Sequence, residues 1–335
     1  MGAVGVINMM KVLLLGATGL LGHNVLQRLT ATGHQVVAVV RRRDALHIET
    51  PDTKVIEGDI TKPDTVVAAA ESCDAIVNCA GVTDRSLLHQ KDYAAVNVNL
   101  CHTLVTARNT QGIRRLVHAS TVNTIGYGSA DHPADEQEAV KPPFDSSYYA
   151  ISKRQGEEIL LKAAAAKPDW HVVVVNPGYM IGPMDVKPSS GRMLLLAYRK
   201  SLMFAPRGGK SFVDVRDVAA AMVNALTMGQ NGQRYIAVST HGHLTIKELY
   251  QLQARVMGYR QRVVTVSNGL LLAAGKAGDV VRSLGIRTEL SSCNVRQLMV
   301  QEYYDNGHAV AELAMPETDI EQSIRDFHSW RGEKK

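Results

Sequence analysis

A short apolar run, Val12–Leu15, ends in Gly16-Ala-Thr-Gly19-Leu-Leu-Gly22, and a helical pattern begins at once. Few backbones need three glycines at this spacing between a strand and a helix. Gly16 permits the tight turn, Gly19 lets the chain come close to a pyrophosphate, and Gly22 lets the helix lie close to the sheet. The helix start, with Thr18, Leu20 and Leu21 around it, presents unsatisfied N–H groups and a positive dipole end to an anion. The pattern predicts a dinucleotide site; a purely structural turn is the alternative.

The rest of the chain repeats the alternation that this loop begins. Val12–Leu15, Val36–Val40, Val55–Glu57, Ala75–Cys79, Leu116–Ala119 and Val172–Val175 are strand-length runs rich in Val, Ile and Leu. They lack polar alternation, as expected for strands buried on both faces of a parallel sheet. Helical spacing fills 20–31, 63–71, 92–111 and 146–166, and Gly33 stops the first helix. The expected fold is α/β, a doubly wound parallel Rossmann sheet with right-handed crossovers and a smaller C-terminal substrate lobe. After Pro177 the pattern degrades. A helix near 215–228 precedes one more strand-like run, Tyr235–Val238, and beyond 245 the chain reads as helices and loops. The expected division is a dinucleotide-binding core over 1–176, rejoined by 212–240, and a lobe from 177–211 and 241–335. Residues 263–285 read as a lobe helix rather than a membrane-surface helix.

Several classes are excluded. Lys plus Arg is 37 against 32 Asp plus Glu, a balance too mild and dispersed for a nucleic-acid binder. Cys73, Cys79, Cys101 and Cys293 form no CxxC and no metal-ligand spacing with His, so no metal is expected. They suit free thiols in a reducing cytoplasm, with Cys79 buried. No run of about 20 apolar residues could span a membrane. The apolar start lacks a basic n-region and reads as a short leader before the first strand, not a signal peptide.

The second run ends Val39-Val40-Arg41-Arg42-Arg43. An NAD site usually places a carboxylate here for the ribose hydroxyls, whereas guanidinium groups suit a 2′-phosphate. NADP(H) is therefore the expected coenzyme, with Arg41 the main contact and Arg42 or Arg43 assisting. Asp59 and Ile60 end the third strand, where an adenine edge would lie. Cys79, Ala80 and Gly81 end the fourth, where small residues let the chain pass the nicotinamide half.

Tyr149-x-x-x-Lys153 follows the fifth strand on a helical stretch. At i and i+4 the phenol and the ammonium share a face. A phenol titrates near pH 10, and a neighbouring cation draws it towards neutral pH. Tyr148 faces Ser152 instead and is the weaker candidate. At the end of the fifth strand Ser120 and Thr121 compete to bond a substrate oxygen beside the tyrosine; Thr121 is preferred.

Together these residues resemble the extended branch of the short-chain dehydrogenase/reductase superfamily, most strongly from residue 10 to about 240. The glycine loop is similar to the branch's TGxxGxxG at Thr18–Val25, and Tyr149 and Lys153 match its active-site pair. Asn97-Val98-Asn99 resembles the NVxGT helix, which implies that Asn97 lies near the cofactor, although Leu100-Cys101 replaces Gly-Thr. Asn176-Pro177-Gly178-Tyr179 is similar to the RPxxxYGP segment, with Asn176 where Arg is usual, so Pro177 and Gly178 are implied contacts. Phe212–Ala219 is similar to FVxVDDVA. Within the branch, 182–192 looks closest to dihydroflavonol reductase-like proteins. The resemblance implies hydride transfer between NADPH and a small-molecule carbonyl or alcohol, catalysed by Tyr149, Lys153 and Thr121, in a homodimer. A nucleotide-sugar epimerase or dehydratase is the first alternative, and an NADP-sensing regulator without turnover the second. Val122 and Asn123 supply no carboxylate after Thr121, which argues against a dehydratase. Val82–His89, the region around Tyr179 and the lobe after 185 are the candidate pocket, which reads as largely apolar, with Thr83, Tyr179 and Met180 as candidate substrate contacts.

Overall fold

In the computed structural model, residues 9–48 and 52–332 are described; the short leader expected at 1–8 lies outside them. Strand β1 (Lys11–Leu15) sends Val12 and Leu14 into one apolar layer and Leu13 and Leu15 into the other. Period-two alternation with both faces covered explains why its sequence is unbroken hydrophobe. The same logic builds β2 (Gln35–Val40), β4 (Ala75–Asn78), β5 (Arg115–Ala119) and β6 (His171–Pro177), whereas β3 (Thr53–Glu57), at the sheet edge, is only partly covered. The chain then leaves through three short strands, β7 (Tyr179–Ile181), β8 (Leu202–Ala205) and β9 (Gly209–Asp214). It returns as β10 (Gln233–Ala237), paired to β6. The order of this seven-stranded sheet is β10-β6-β5-β4-β1-β2-β3. Every neighbouring pair is parallel. The order reverses between β1 and β4, so a ligand crevice opens at the carboxyl ends of these strands.

Helix α1 (Leu20–Ala31) covers one face through Leu21, Val25, Leu26 and Leu29. The opposite face carries α2 (Pro63–Ala69), then α3 (Lys91–Ala94), which runs into α4 (Leu100–Gln111), and α5 (Tyr148–Ala165). The helix expected over 92–111 is interrupted by a π-helical turn at Ala95–Asn99, a distortion that often accompanies a functional site. A short helix, α6 (Arg192–Ala197), precedes α7 (Val215–Asn224), which packs beside α1.

The lobe is richer in strands than its sequence suggests. β9 pairs with β7, with β11 (His243–Thr245) and with β13 (Gln301–Glu302), and β8 pairs with β12 (Arg262–Thr265). β12 and β13 correct the expectation of helices and loops alone beyond 245. Strands of two to four residues hold through tertiary pairing and leave little local pattern. A capping box at Thr245 and Glu248 starts α8 (Ile246–Val256). Helix α9 (Asn268–Ser283) falls within 263–285, and α10 (Ser292–Gln297) follows. α9 lies against the lobe through glycine: a Cβ on Gly278 would come within 2.0 Å of the Leu290 carbonyl oxygen. Phe212, Leu249, Ile324 and Phe327 centre a separate lobe core. Among the described residues no helix is long and apolar enough to cross a membrane.

Candidate active site

The glycine loop leaves β1 with Gly16 at φ +81°, where a Cβ would collide with the Ala80 backbone nitrogen at 2.6 Å. Gly16 is therefore required twice, by its conformation and by the close approach of the β4 loop. Its carbonyl oxygen accepts from the Gly19 N–H at 3.0 Å. A Cβ on Gly22 would lie 2.0 Å from that same oxygen. Gly19 is the N-cap of α1, without a side-chain cap and with no acid in the first turn. A Cβ there would meet only Gly16 O, at 3.5 Å, so the space above the helix start is open. Unneutralised amides facing open space are a cradle that fits a pyrophosphate. Leu20 and Leu21 turn their side chains towards the core, so they offer an anion only their backbone. Gly22→Ala is expected to abolish dinucleotide binding and to cost about 1–3 kcal/mol of stability by overpacking. A coenzyme titration and a urea midpoint measure the two effects.

The three arginines after β2 part company. Arg43 donates to the Val55 carbonyl oxygen at 3.1 Å, and its own amide bonds the Glu57 carboxylate at 2.7 Å. Arg42 pairs with Asp44 at 3.2 Å. Arg41 is exposed, and among the described residues no ion pair engages it. Arg43 is thus committed to β3, and Arg41 is the guanidinium left for a phosphate. Asp59 accepts from the Thr61 amide at 2.9 Å and from its hydroxyl at 2.7 Å, which holds its carboxyl below the usual range. It caps its own loop beside Ile60, which packs on the sheet.

The catalytic candidates converge beyond β4 and β5. Lys153 is buried on α5, and its Nζ donates to the Ala119 carbonyl oxygen at 2.7 Å. A Cβ on Gly81 would stand 3.8 Å from that Nζ and 3.6 Å from Asn97 Oδ1. Asn97, in the π turn, accepts from the Val82 amide at 2.8 Å and donates to Ser152 Oγ at 2.9 Å. The β4 loop, the π turn and α5 are therefore locked together around the ammonium. The Thr121 hydroxyl accepts from the Asn123 amide at 3.3 Å and stands near enough to the Tyr149 phenol to pull its titration down. Ser120 spends its hydroxyl elsewhere, on the Glu157 carboxylate. Adjacent residues on an extended chain point to opposite sides, which separates the two hydroxyls that sequence left in competition.

Burial pushes the Tyr149 phenol up, while the Thr121 hydroxyl and the Arg85 charge pull it down. The ring is partly accessible, although protein surrounds it, and it lies 6.5 Å from the Tyr93 ring. The expected downward pull of Lys153 is not among these influences. That ammonium is drawn to the β5 carbonyl, and desolvation lowers its own titration, against the raising effects of Cys101, Glu157 and Cys79. The cation that acts on the phenol is Arg85, which lies in the 82–89 stretch expected at the pocket but to which sequence reading gave no role of its own. Tyr148 is exposed, in keeping with its lesser candidacy.

Glu157 was also missed, although it continues the Tyr149, Lys153 spacing by one more turn. Fully buried, it accepts from Ser120, from Thr124 Oγ1 at 2.7 Å, from Asn176 Nδ2 at 2.9 Å and from Arg234 Nε at 2.9 Å. Asn176 also donates to the Thr121 carbonyl oxygen at 3.1 Å. One carboxylate thereby ties together α5, the end of β5, β6 and β10.

The remaining candidates spread out. Pro177 ends β6, and a Cβ on the next residue, Gly178, would be 2.4 Å from the Ser211 carbonyl oxygen. The Tyr179 ring meets Phe212 edge-on at 5.3 Å, with its phenol pushed up to about 12 by burial. Met180 packs against the sheet core, and Thr83 is exposed. All four cysteines are free; Cys79 is partly exposed rather than buried, yet desolvation pushes its thiol up to about 12. Among the described residues no cluster of His, Cys, Asp and Glu could hold a metal ion.

Comparison with known proteins shows what the chain and its fold are similar to. The model of the NAD dependent epimerase/dehydratase family matches residues 12–238. A protein of Synechocystis sp. named "Putative dihydroflavonol 4-reductase" is 30% identical over 329 residues, covering 94% of this chain and 92% of that protein. Sterol demethylase protein B of Methylococcus capsulatus is 27% identical over 97% of this chain and 99% of its own length. Among solved structures, the Bordetella bronchiseptica enzyme WbmH in complex with NAD+ superposes with a TM-score of 0.73 at 20% identity, covering 97% of this chain and 99% of that one.

Proposed function

The chain belongs to the NAD dependent epimerase/dehydratase family, and from that premise we propose that it is an NADP(H)-dependent reductase of a ketone or aldehyde. The observation that carries this reading is the Tyr149 phenol, set on α5 one helical turn before the buried Lys153 and within the influence of the Thr121 hydroxyl. The residues fit a nicotinamide dinucleotide. The open amides at Gly19–Leu21 would hold the pyrophosphate, Arg41 a 2′-phosphate, Asp59 and Ile60 the adenine edge, and Lys153 and Asn97 the nicotinamide ribose. Cys79, Ala80, Gly81, Ser120, Pro177 and Gly178 would line its path. When bound, NADPH would supply the hydride for the carbonyl carbon.

The chain's own part is position and proton transfer. Thr121 orients the phenol and bonds the substrate oxygen. Tyr149 gives its proton to that oxygen as the alcohol forms. A phenol raised by burial stays protonated at neutral pH, which suits an acid working in the direction of reduction. In this reading residues 1–176 and 212–240 serve the coenzyme, and 177–211 and 241–335 receive the substrate.

The test is coenzyme consumption against a panel of ketones, aldehydes and nucleotide sugars. NADPH oxidation by a carbonyl compound is expected, with kcat/KM for NADPH well above that for NADH. Arg41→Ala is expected to lower kcat/KM for NADPH by about tenfold or more, the loss of a charge-assisted phosphate contact, and to leave NADH nearly unchanged. Turnover of UDP-glucose with no net coenzyme change would instead establish an epimerase. An NADH preference would refute the role of Arg41.

A further inference from the structure

We propose that the carbonyl substrate carries a carboxylate and that Arg85 is the residue that receives it. This rests on the reductase reading of the same site and names its substrate class. Arg85 lies in the loop that follows β4, and its backbone is clamped on both sides. Asn294 Nδ2 donates to the Arg85 carbonyl oxygen at 3.2 Å. The Arg282 guanidinium reaches the carbonyls of Ser86 and Leu87 at 3.0 and 2.5 Å. The Tyr93 hydroxyl donates to the Asp84 carbonyl oxygen at 2.6 Å, and its ring is the one lying 6.5 Å from Tyr149. Helices α9 and α10 of the lobe and the segment before the π turn thus hold residues 84–87 beside the reactive phenol.

The side chain so carefully placed has nothing to hold. Arg85 is partly buried, and among the described residues no hydrogen bond or ion pair reaches its guanidinium. Its charge nevertheless acts on Tyr93 and Tyr149 of the core and on Tyr179 and Lys210 of the lobe. The nearby carboxylates are engaged elsewhere. Asp84 accepts from the Ser86 amide at 2.8 Å, and Glu302 is paired with Lys210 in the lobe interior. Partial burial of an unpaired cation is unfavourable. A fixed backbone carrying an unpaired planar fork suits the arrival of an anion, and a carboxylate matches that fork with two parallel hydrogen bonds.

Arg85 could alternatively serve only to lower the Tyr149 phenol, and the experiment separates the two roles. Freshly prepared 3-oxooctanoate and its methyl ester are assayed with NADPH, using wild type, Arg85→Gln and Arg85→Lys. The wild type is expected to favour the acid by about tenfold or more in kcat/KM, the scale of one charge-assisted contact. Arg85→Gln should bring the acid-to-ester ratio of kcat/KM close to one, mainly through KM for the acid and beyond any change that both substrates share through Tyr149, and Arg85→Lys should restore part of it. In parallel, calorimetry measures octanoate and octanol binding to the enzyme with NADP+ present. Octanoate should bind the wild type and not Arg85→Gln. Equal use of acid and ester by the wild type, equal losses on both in Arg85→Gln, or octanoate binding that is absent or indifferent to Arg85 would overturn the proposal. If neither ketone oxidises NADPH while octanoate still binds through Arg85, the carboxylate site stands and the reductase reading falls.

Discussion

Tyr149→Phe is expected to lower kcat/KM for carbonyl reduction by roughly 10²–10⁴-fold, the range for loss of a positioned proton donor. The substitution removes one oxygen and keeps the ring, so contact with Tyr93 survives and NADPH affinity should change by no more than about twofold. Stopped-flow reduction and a coenzyme titration on one preparation give both quantities. Equal loss of both would mark the phenol as structural. The pH profile supplies a second check, with its sign fixed by the groups around the ring. Alcohol oxidation needs the phenolate, and burial raises the phenol above its ordinary value. The oxidation rate should therefore climb with pH to beyond 10. Thr121→Val deletes the hydroxyl that pulls the phenol down, so it should move that rising limb to still higher pH. A limb that stayed in place would show that Thr121 does not touch the reacting group.

The core was legible because its physics is local. Strands such as β1 and β2 are covered on both faces and must be unbroken hydrophobe, and the glycines of the loop mark backbone that no side chain could occupy. The lobe was not legible for the converse reason. Tyr-Met-Ile in β7, His-Leu-Thr in β11 and Gln-Glu in β13 become strands only when β9 is laid beside them. The site divides in the same way. Tyr149 and Lys153 announce themselves by helical spacing, and Glu157 would have done so had the face been followed one turn further. Ser120 and Thr121 are interchangeable as letters; their surroundings separate them, one against Glu157 and the other against the phenol. Arg85 sits in the 82–89 stretch that the sequence offers for the pocket, but nothing local singles it out there, because its meaning lies in Asn294, 209 residues away, and in the phenol its charge acts on.

Glu157→Leu is expected to destabilise the protein by about 3 kcal/mol or more, the scale for removing one partner of a buried ion pair. The deleted carboxylate accepts from Ser120, Thr124, Asn176 and Arg234 at once, and no water reaches it. Arg234 keeps 29% of its side chain exposed and can recover some hydration, which argues for the lower end of the range. Urea unfolding followed through the fluorescence of the buried Trp170, which precedes β6, reads the change. Glu157→Leu combined with Arg234→Leu should be more stable than Glu157→Leu alone, because no uncompensated charge remains. The milder Glu157→Gln separates stability from chemistry. Its amide oxygen still accepts from Ser120 and Thr124, while its NH2 faces the Arg234 donor at some cost in stability, and it withdraws a negative charge that holds the buried Lys153 ammonium up against desolvation. Lys153 should then lose its proton at lower pH, and reductase activity should decline earlier on the alkaline side than in wild type, with the fold intact. An unchanged alkaline limb would confine Glu157 to joining four elements of the fold, with no influence on the charge beside the nicotinamide site.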